Sequence, residues 1–103
     1  MIELNFPVFE LSGYPLEQSG LTRFQVSELH SVGLLSFNPS DRAEFAGYDI
    51  EELKFLKKIY FDSGLARPHV LGMLAKLQKP YRYSFDKIYW DFGKQDWKEV
   101  KLS

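Results

Sequence analysis

At 103 residues, with 45% hydrophobic and 17% aromatic content, the chain holds enough apolar material for one continuous core and too little for two. It has no cysteine, which excludes a disulfide framework and thiolate metal ligation and suits a reducing compartment. The net charge of −1 conceals an uneven division: residues 1–52 hold two basic and nine acidic side chains, and residues 53–103 hold eleven basic and five acidic. A phosphate-facing surface therefore draws mainly on the second half, unless the two halves neutralise each other within one fold. Met1 to Asn5 hold no basic leader region, and no apolar run approaches the roughly 20 residues of a membrane span. The expectation is a cytoplasmic chain of one domain, residues 1–103.

Residues 2–9 alternate, with Ile2, Leu4, Phe6 and Val8 on one face, which predicts a half-buried strand that Pro7 keeps at an edge or short. Ser12-Gly13-Tyr14-Pro15 reads as a turn, and Leu16 to Ser19 as a short helical turn ending at Gly20. Thr22-x-x-Gln25 has capping-box spacing, and Leu21 can staple onto Val26, so a helix is predicted from Thr22 to about Val32. Its apolar face is read as Phe24, Val26, Leu29 and Val32, and Gly33 closes it. Residues 36–47 keep neither period and contain Asn38-Pro39, which predicts a loop or a small two-stranded wing.

A second box is read at Asp49-x-x-Glu52, with Tyr48 before the cap and Leu53 as its staple partner. Ile50, Leu53, Leu56, Ile59 and Tyr60 form the buried stripe of this helix, Lys54, Lys57 and Lys58 its polar side, and Ser63-Gly64 its stop. Pro68 suits the first turn of a further helix running to about Leu77, before Lys79-Pro80. Over residues 81–102, dense aromatics flank Gly93-Lys94-Gln95, which predicts a β-hairpin. A lone hairpin is marginal in water, so it should pair with the N-terminal strand or lie across the helices.

A helix ending in Gly33-Leu34-Leu35, a wing-length connection, Tyr48, a helix carrying Leu53, Leu56 and Ile59, then Gly64 and a final helix form a recognisable order. Residues 25–74 resemble the winged-helix DNA-binding domain of the MerR family, most closely in Tyr48-Asp49-Ile50-Glu51-Glu52-Leu53-Lys54-Phe55-Leu56-Lys57-Lys58-Ile59. The resemblance implies an α+β fold with a MerR-like winged helix-turn-helix core over residues 22–78 and the hairpin as an appendage. It also implies a transcription regulator that meets double-stranded DNA as a homodimer. The pattern departs where the family's arginines touch phosphate: those positions are Ser27 and Asp49 here, and Glu28 stands for an aromatic. Neither side chain offers the planar donor fork that suits phosphate. The family's long dimerising helix is replaced by the aromatic tail.

Read for DNA contact, the exposed side of the 22–32 helix offers Arg23, Gln25, Ser27, His30 and Ser31, flanked by Arg42, with Lys57 and Lys58 as further phosphate partners. Glu17, Glu28, Asp41 and Glu44 lie nearby in sequence and oppose that contact. In the tail, Ile88, Trp90 and Phe92 are read as buried, and Tyr83, Tyr89 and Trp97 as candidates for a patch that binds a protein partner or stacks single-stranded bases. His30 and His69 have no metal-ligand spacing, and no nucleophile elbow or glycine-rich phosphate loop appears. No cofactor, metal site or catalytic residue is expected. The alternative to a DNA-binding regulator is a protein-interaction module that kept the scaffold and lost its phosphate contacts.

Overall fold

Residues 13–41 and 44–100 are described by the computed structural model. The predicted strand over residues 2–9, its pairing with the hairpin, and Arg42 lie outside them. The described residues form a small α+β arrangement: three helices, α1 (Arg23–Ser31), α2 (Gly47–Leu56) and α3 (Arg67–Leu74), then an antiparallel pair, β1 (Ile88–Asp91) and β2 (Asp96–Glu99). Short 3₁₀ turns at Leu16–Ser19 and Pro39–Asp41 precede α1 and α2. No helix among the described residues is long and apolar enough to cross a membrane.

The start of α1 follows the sequence reading. The Thr22 hydroxyl accepts from Gln25 N at 3.1 Å, and the Gln25 side chain accepts from Thr22 N at 2.9 Å, so two otherwise orphaned donors are satisfied reciprocally. Gly33 closes the helix at φ 80°, a conformation that carries little steric cost only without a Cβ. The inward face is narrower than predicted. Val26 and Leu29 are buried, but Phe24 is 82% and Val32 42% exposed. A nine-residue helix lying on one body buries a single stripe, and these two side chains fall outside it.

Among the described residues, the segment after α1 forms no two-stranded wing of its own. Phe45 instead makes one antiparallel bridge with Tyr14, from before α1, through N–H to carbonyl bonds of 2.8 and 3.1 Å. This bridge fixes the point at which α2 begins. α2 starts earlier than the Asp49 box predicts: Ala46 is the N-cap, and Asp49, within the first turn, reaches back to accept from Ala46 N at 3.3 Å. Phe45 and Ile50 then take the staple positions, and both are buried. Tyr48, read as lying before the cap, is in the first turn under the Arg82 guanidinium, 4.4 Å from its ring centroid.

The predicted stripe of Ile50, Leu53, Leu56, Ile59 and Tyr60 is buried throughout. Phe55, on another side of the helix, is buried too, because the tail covers it: Phe85 stacks on its ring at 4.8 Å, and Tyr83 and Trp97 lie at 5.6 and 6.2 Å. α2 passes into a π turn at Lys57–Phe61. α3 carries Pro68 in its first turn and buries Val70, Met73 and Leu74, but it ends at Leu74, short of Leu77. One core cluster gathers side chains from all three helices, from Leu16 and Leu21, and from Tyr81. Each fully buried aliphatic in it is worth about 1.5–3 kcal/mol relative to exposure.

The hairpin is shorter than residues 81–102, since Tyr81 to Lys87 run outside any strand. Asp91 Oδ1 accepts from Gly93 N and Lys94 N at 2.9 and 3.1 Å, closing the turn with a side chain that mimics backbone. Trp90 and Trp97 face each other across the strands with ring centroids 5.3 Å apart. The indole N–H of Trp97 donates to Met73 O at 2.9 Å, which clamps the hairpin onto α3. Trp90 and Ile88, read as buried, are half-buried, and Phe92 is 57% exposed, because it sits in the turn beyond the last strand pair.

Glu52 is fully buried and takes no part in helix capping. It accepts from Ser36 N at 2.9 Å and from the Ser36 hydroxyl at 2.8 Å, with Arg82 Nε 3.7 Å away. Burial pushes its carboxyl above the ordinary glutamate range, with the Ser36 bonds and Arg82 opposing that rise. The carboxylate thus latches the chain leaving α1 to the middle of α2.

Candidate functional site

The candidate surface is the outer side of α1. Arg23, Ser27, His30 and Ser31 are exposed, and residues at this spacing share one side of a helix; Gln25, two residues from Arg23 and from Ser27, is half-buried and falls away from that side. The surface stays open because the aromatic hairpin packs elsewhere, on Phe55 of α2 and Met73 of α3. The helix is held from beneath by Leu21, Val26 and Leu29.

The side chains on this surface are not equally available. Arg23 is steered across the chain: a terminal guanidinium nitrogen donates to Pro39 O at 3.4 Å, and the guanidinium carbon lies 5.7 Å from the Phe45 ring centroid. Gln25 commits its carbonyl oxygen to the cap, and the Ser31 hydroxyl donates to Glu28 O at 2.8 Å. Phe24, read as core, stands among them at 82% exposure.

Glu28 is not the bare repulsive charge that the sequence suggests. Arg67 forms an ion pair with Glu28 Oε2, which also accepts from the Tyr60 hydroxyl at 3.1 Å. The guanidinium lies 4.3 Å from the Tyr60 ring centroid and donates to the Tyr60 hydroxyl at 3.0 Å. This triad ties α1 to the π turn and α3 and offsets one carboxylate beside the polar side. Residues 28 and 67 are joined only by the fold, so no local motif signals the pair. A cation that the sequence reading did not single out is Lys79, whose Nζ donates to Gly33 O at 2.6 Å. It stands at the end of α1 where positive charge complements the helix dipole.

Lys57 and Lys58 do not join this surface. They line a cleft of about 410 Å³ between the Leu16–Ser19 turn, α2 and the 83–85 segment, to which α1 contributes no lining residue. Lys57 is paired with Asp62 at 2.6 Å, and a Cβ on Gly20 would come within 3.0 Å of its Cε. Glu17, Glu51 and Asp62 share the cleft with the lysines, so its charge is mixed rather than cationic.

Of the tail residues read as a partner patch, only Tyr89 is exposed. Tyr83 and Trp97 are half-buried against Phe55, and the Tyr83 hydroxyl both donates to Gln78 O at 3.1 Å and accepts from Gln78 N at 3.2 Å. Period two decides the difference: Tyr89 points away from the side that Trp90 and Trp97 present to the helices. No group of His, Asp or Glu side chains among the described residues could hold a metal ion. Compared with known proteins, the chain matches no family model, no curated sequence and no solved structure.

Proposed function

We propose that the chain is a small DNA-binding regulator of MerR-like winged-helix type, a binding protein and not a catalyst, with α1 as the helix that enters the major groove. The observation that carries this reading is the uncovered polar side of α1, held rigidly by its capping box and by the Arg67–Glu28–Tyr60 triad. The chain after α1 then flanks the groove, Arg23 supplies charge at that edge, and Arg42 is kept from the sequence as a second candidate cation. Arg67 and Lys79 soften the local acidity that the first half of the sequence carries.

With about two phosphates neutralised, the affinity for duplex DNA falls roughly tenfold between 50 and 200 mM salt, because each neutralised phosphate releases condensed counterions. Fluorescence anisotropy with a mixed-sequence duplex measures this. The double variant Arg23→Ala, Arg42→Ala should flatten the salt slope, and an absence of binding even at 50 mM refutes the reading.

A second reading, a protein-interaction module on the same scaffold, is favoured by the scarcity of unpaired cation around α1 and by Tyr89 and Phe92 at 46% and 57% exposure. Both rings belong to the hairpin, far in sequence from the groove helix. Stable co-purification with a protein, lost on Tyr89→Ser, together with salt-independent absence of DNA binding, would select it.

A further inference from the structure

We infer that Phe24 reads a thymine methyl group in the major groove. The inference rests on the DNA-binding reading above and deepens it by naming a base and the side chain that recognises it. Phe24 is the most exposed large hydrophobic side chain among the described residues, at 82%. Two of the other exposed rings have partners: Tyr48 lies under Arg82 at 4.4 Å, and Phe92 stacks on His69 with centroids 6.2 Å apart; Tyr89, Val32 and Leu71, at 46%, 42% and 38%, are only about half as exposed as Phe24. Among the described residues Phe24 makes no ring–ring or cation–ring contact.

Its place on the helix is specific. Thr22 is the N-cap, so Phe24 is the second residue of α1, within the first turn, which is where groove helices contact base edges. Arg23 precedes it with a guanidinium held towards Pro39 O, and exposed Ser27 follows one turn later on the adjacent row. A benzyl group between a cation and a hydroxyl faces a surface that is polar at every base edge except one. The thymine 5-methyl is the apolar feature of the major groove, and contact with it is the base recognition open to phenylalanine.

The test begins with selection of bound duplexes from a random library by the full chain, followed by synthesis of the enriched site with each thymine replaced in turn by deoxyuridine. Uracil keeps the O4 acceptor and lacks only the methyl group. At one thymine the replacement should weaken wild-type binding about fourfold, the worth of one buried methyl-sized group. Phe24→Ala should bind the thymine and uracil sites equally, whereas Phe24→Leu should retain part of the preference. Alanine is a better helix former than phenylalanine and the position is exposed, so the variant keeps α1; far-UV circular dichroism verifies this. An enriched site that tolerates uracil at every position, or a methyl preference unchanged in Phe24→Ala, overturns the role of Phe24 and leaves the DNA-binding reading standing. Failure of any duplex to enrich removes both.

Discussion

Replacing Glu52 tests whether a buried carboxylate holds the end of α1 against α2. In Glu52→Ala the N–H and the hydroxyl of Ser36 lose their acceptor, at 2.9 and 2.8 Å in the native fold. Hydrogen bonds to a charged group contribute about 1.5–3 kcal/mol each. Against that loss stands relief from desolvating a carboxylate, which costs several kcal/mol in real proteins. The expected net destabilisation is about 2–3 kcal/mol, towards the upper end of what single substitutions do. Glu52→Gln keeps an acceptor for Ser36 N and offers an amide donor to the hydroxyl, so it should fold and retain the latch.

The pH dependence separates charge from hydrogen bonding. Burial raises the folded-state pKa of Glu52 above the ordinary value of 4.5, so the folded state keeps a proton that the unfolded chain gives up. The stabilisation from this difference is complete below the unfolded pKa and is lost as pH rises through the folded one. Urea unfolding of wild type and Glu52→Gln from pH 4 to pH 8 should show the wild type losing ground to the glutamine variant across that interval. Parallel pH profiles, or a cost below about 0.5 kcal/mol for Glu52→Ala, the level of an ordinary surface substitution, would refute the latch.

Thr22→Ala removes the hydroxyl half of the capping box and should cost about 1 kcal/mol in urea unfolding, with Thr22→Ser close to wild type. Phe55→Ala removes the ring on which Phe85, Tyr83 and Trp97 rest; a loss of about 3–5 kcal/mol is expected, with tryptophan emission shifting to the red as the hairpin loosens. Trp97→Phe keeps most of the apolar contact but loses the bond to Met73 O, so a cost of about 1 kcal/mol is expected. Hydrogen exchange should then rise in β1 and β2 before it rises in α2.

The elements written in local pattern were legible from residues alone. Thr22 and Gln25 can form their box with no help from the rest of the chain, Gly33 can close the helix, and Pro68 can open another. The stripe from Ile50 to Tyr60 repeats at a spacing that only a helix buries on one side. The start of α2 was misread because two acidic residues, Asp49 and Glu52, both suit a helix start electrostatically. Neither is the N-cap: Ala46 takes that place next to the Tyr14–Phe45 bridge, Asp49 reaches back to it from the first turn, and Glu52 is bonded to Ser36, outside the motif.

The candidate site was legible in its exposed side chains and opaque in their partners. Ser27 and His30 are exposed as read, but Arg23 is steered by Pro39, and Lys57 is diverted to Asp62 in a different cleft. Tyr83 and Trp97 look like surface aromatics until Phe55 is seen to receive them.

By itself the sequence determined that the described residues make three helices and an aromatic hairpin, because capping, turn chemistry and apolar spacing act over a few residues and need no distant neighbour. Only the tertiary structure decided which side of each helix faces solvent, that Glu28 meets Arg67, that Glu52 is buried beneath Ser36, and that Phe24 remains outside. Those outcomes depend on contacts between residues that chain order does not place side by side, where burial and charge are fixed only once the helices have packed.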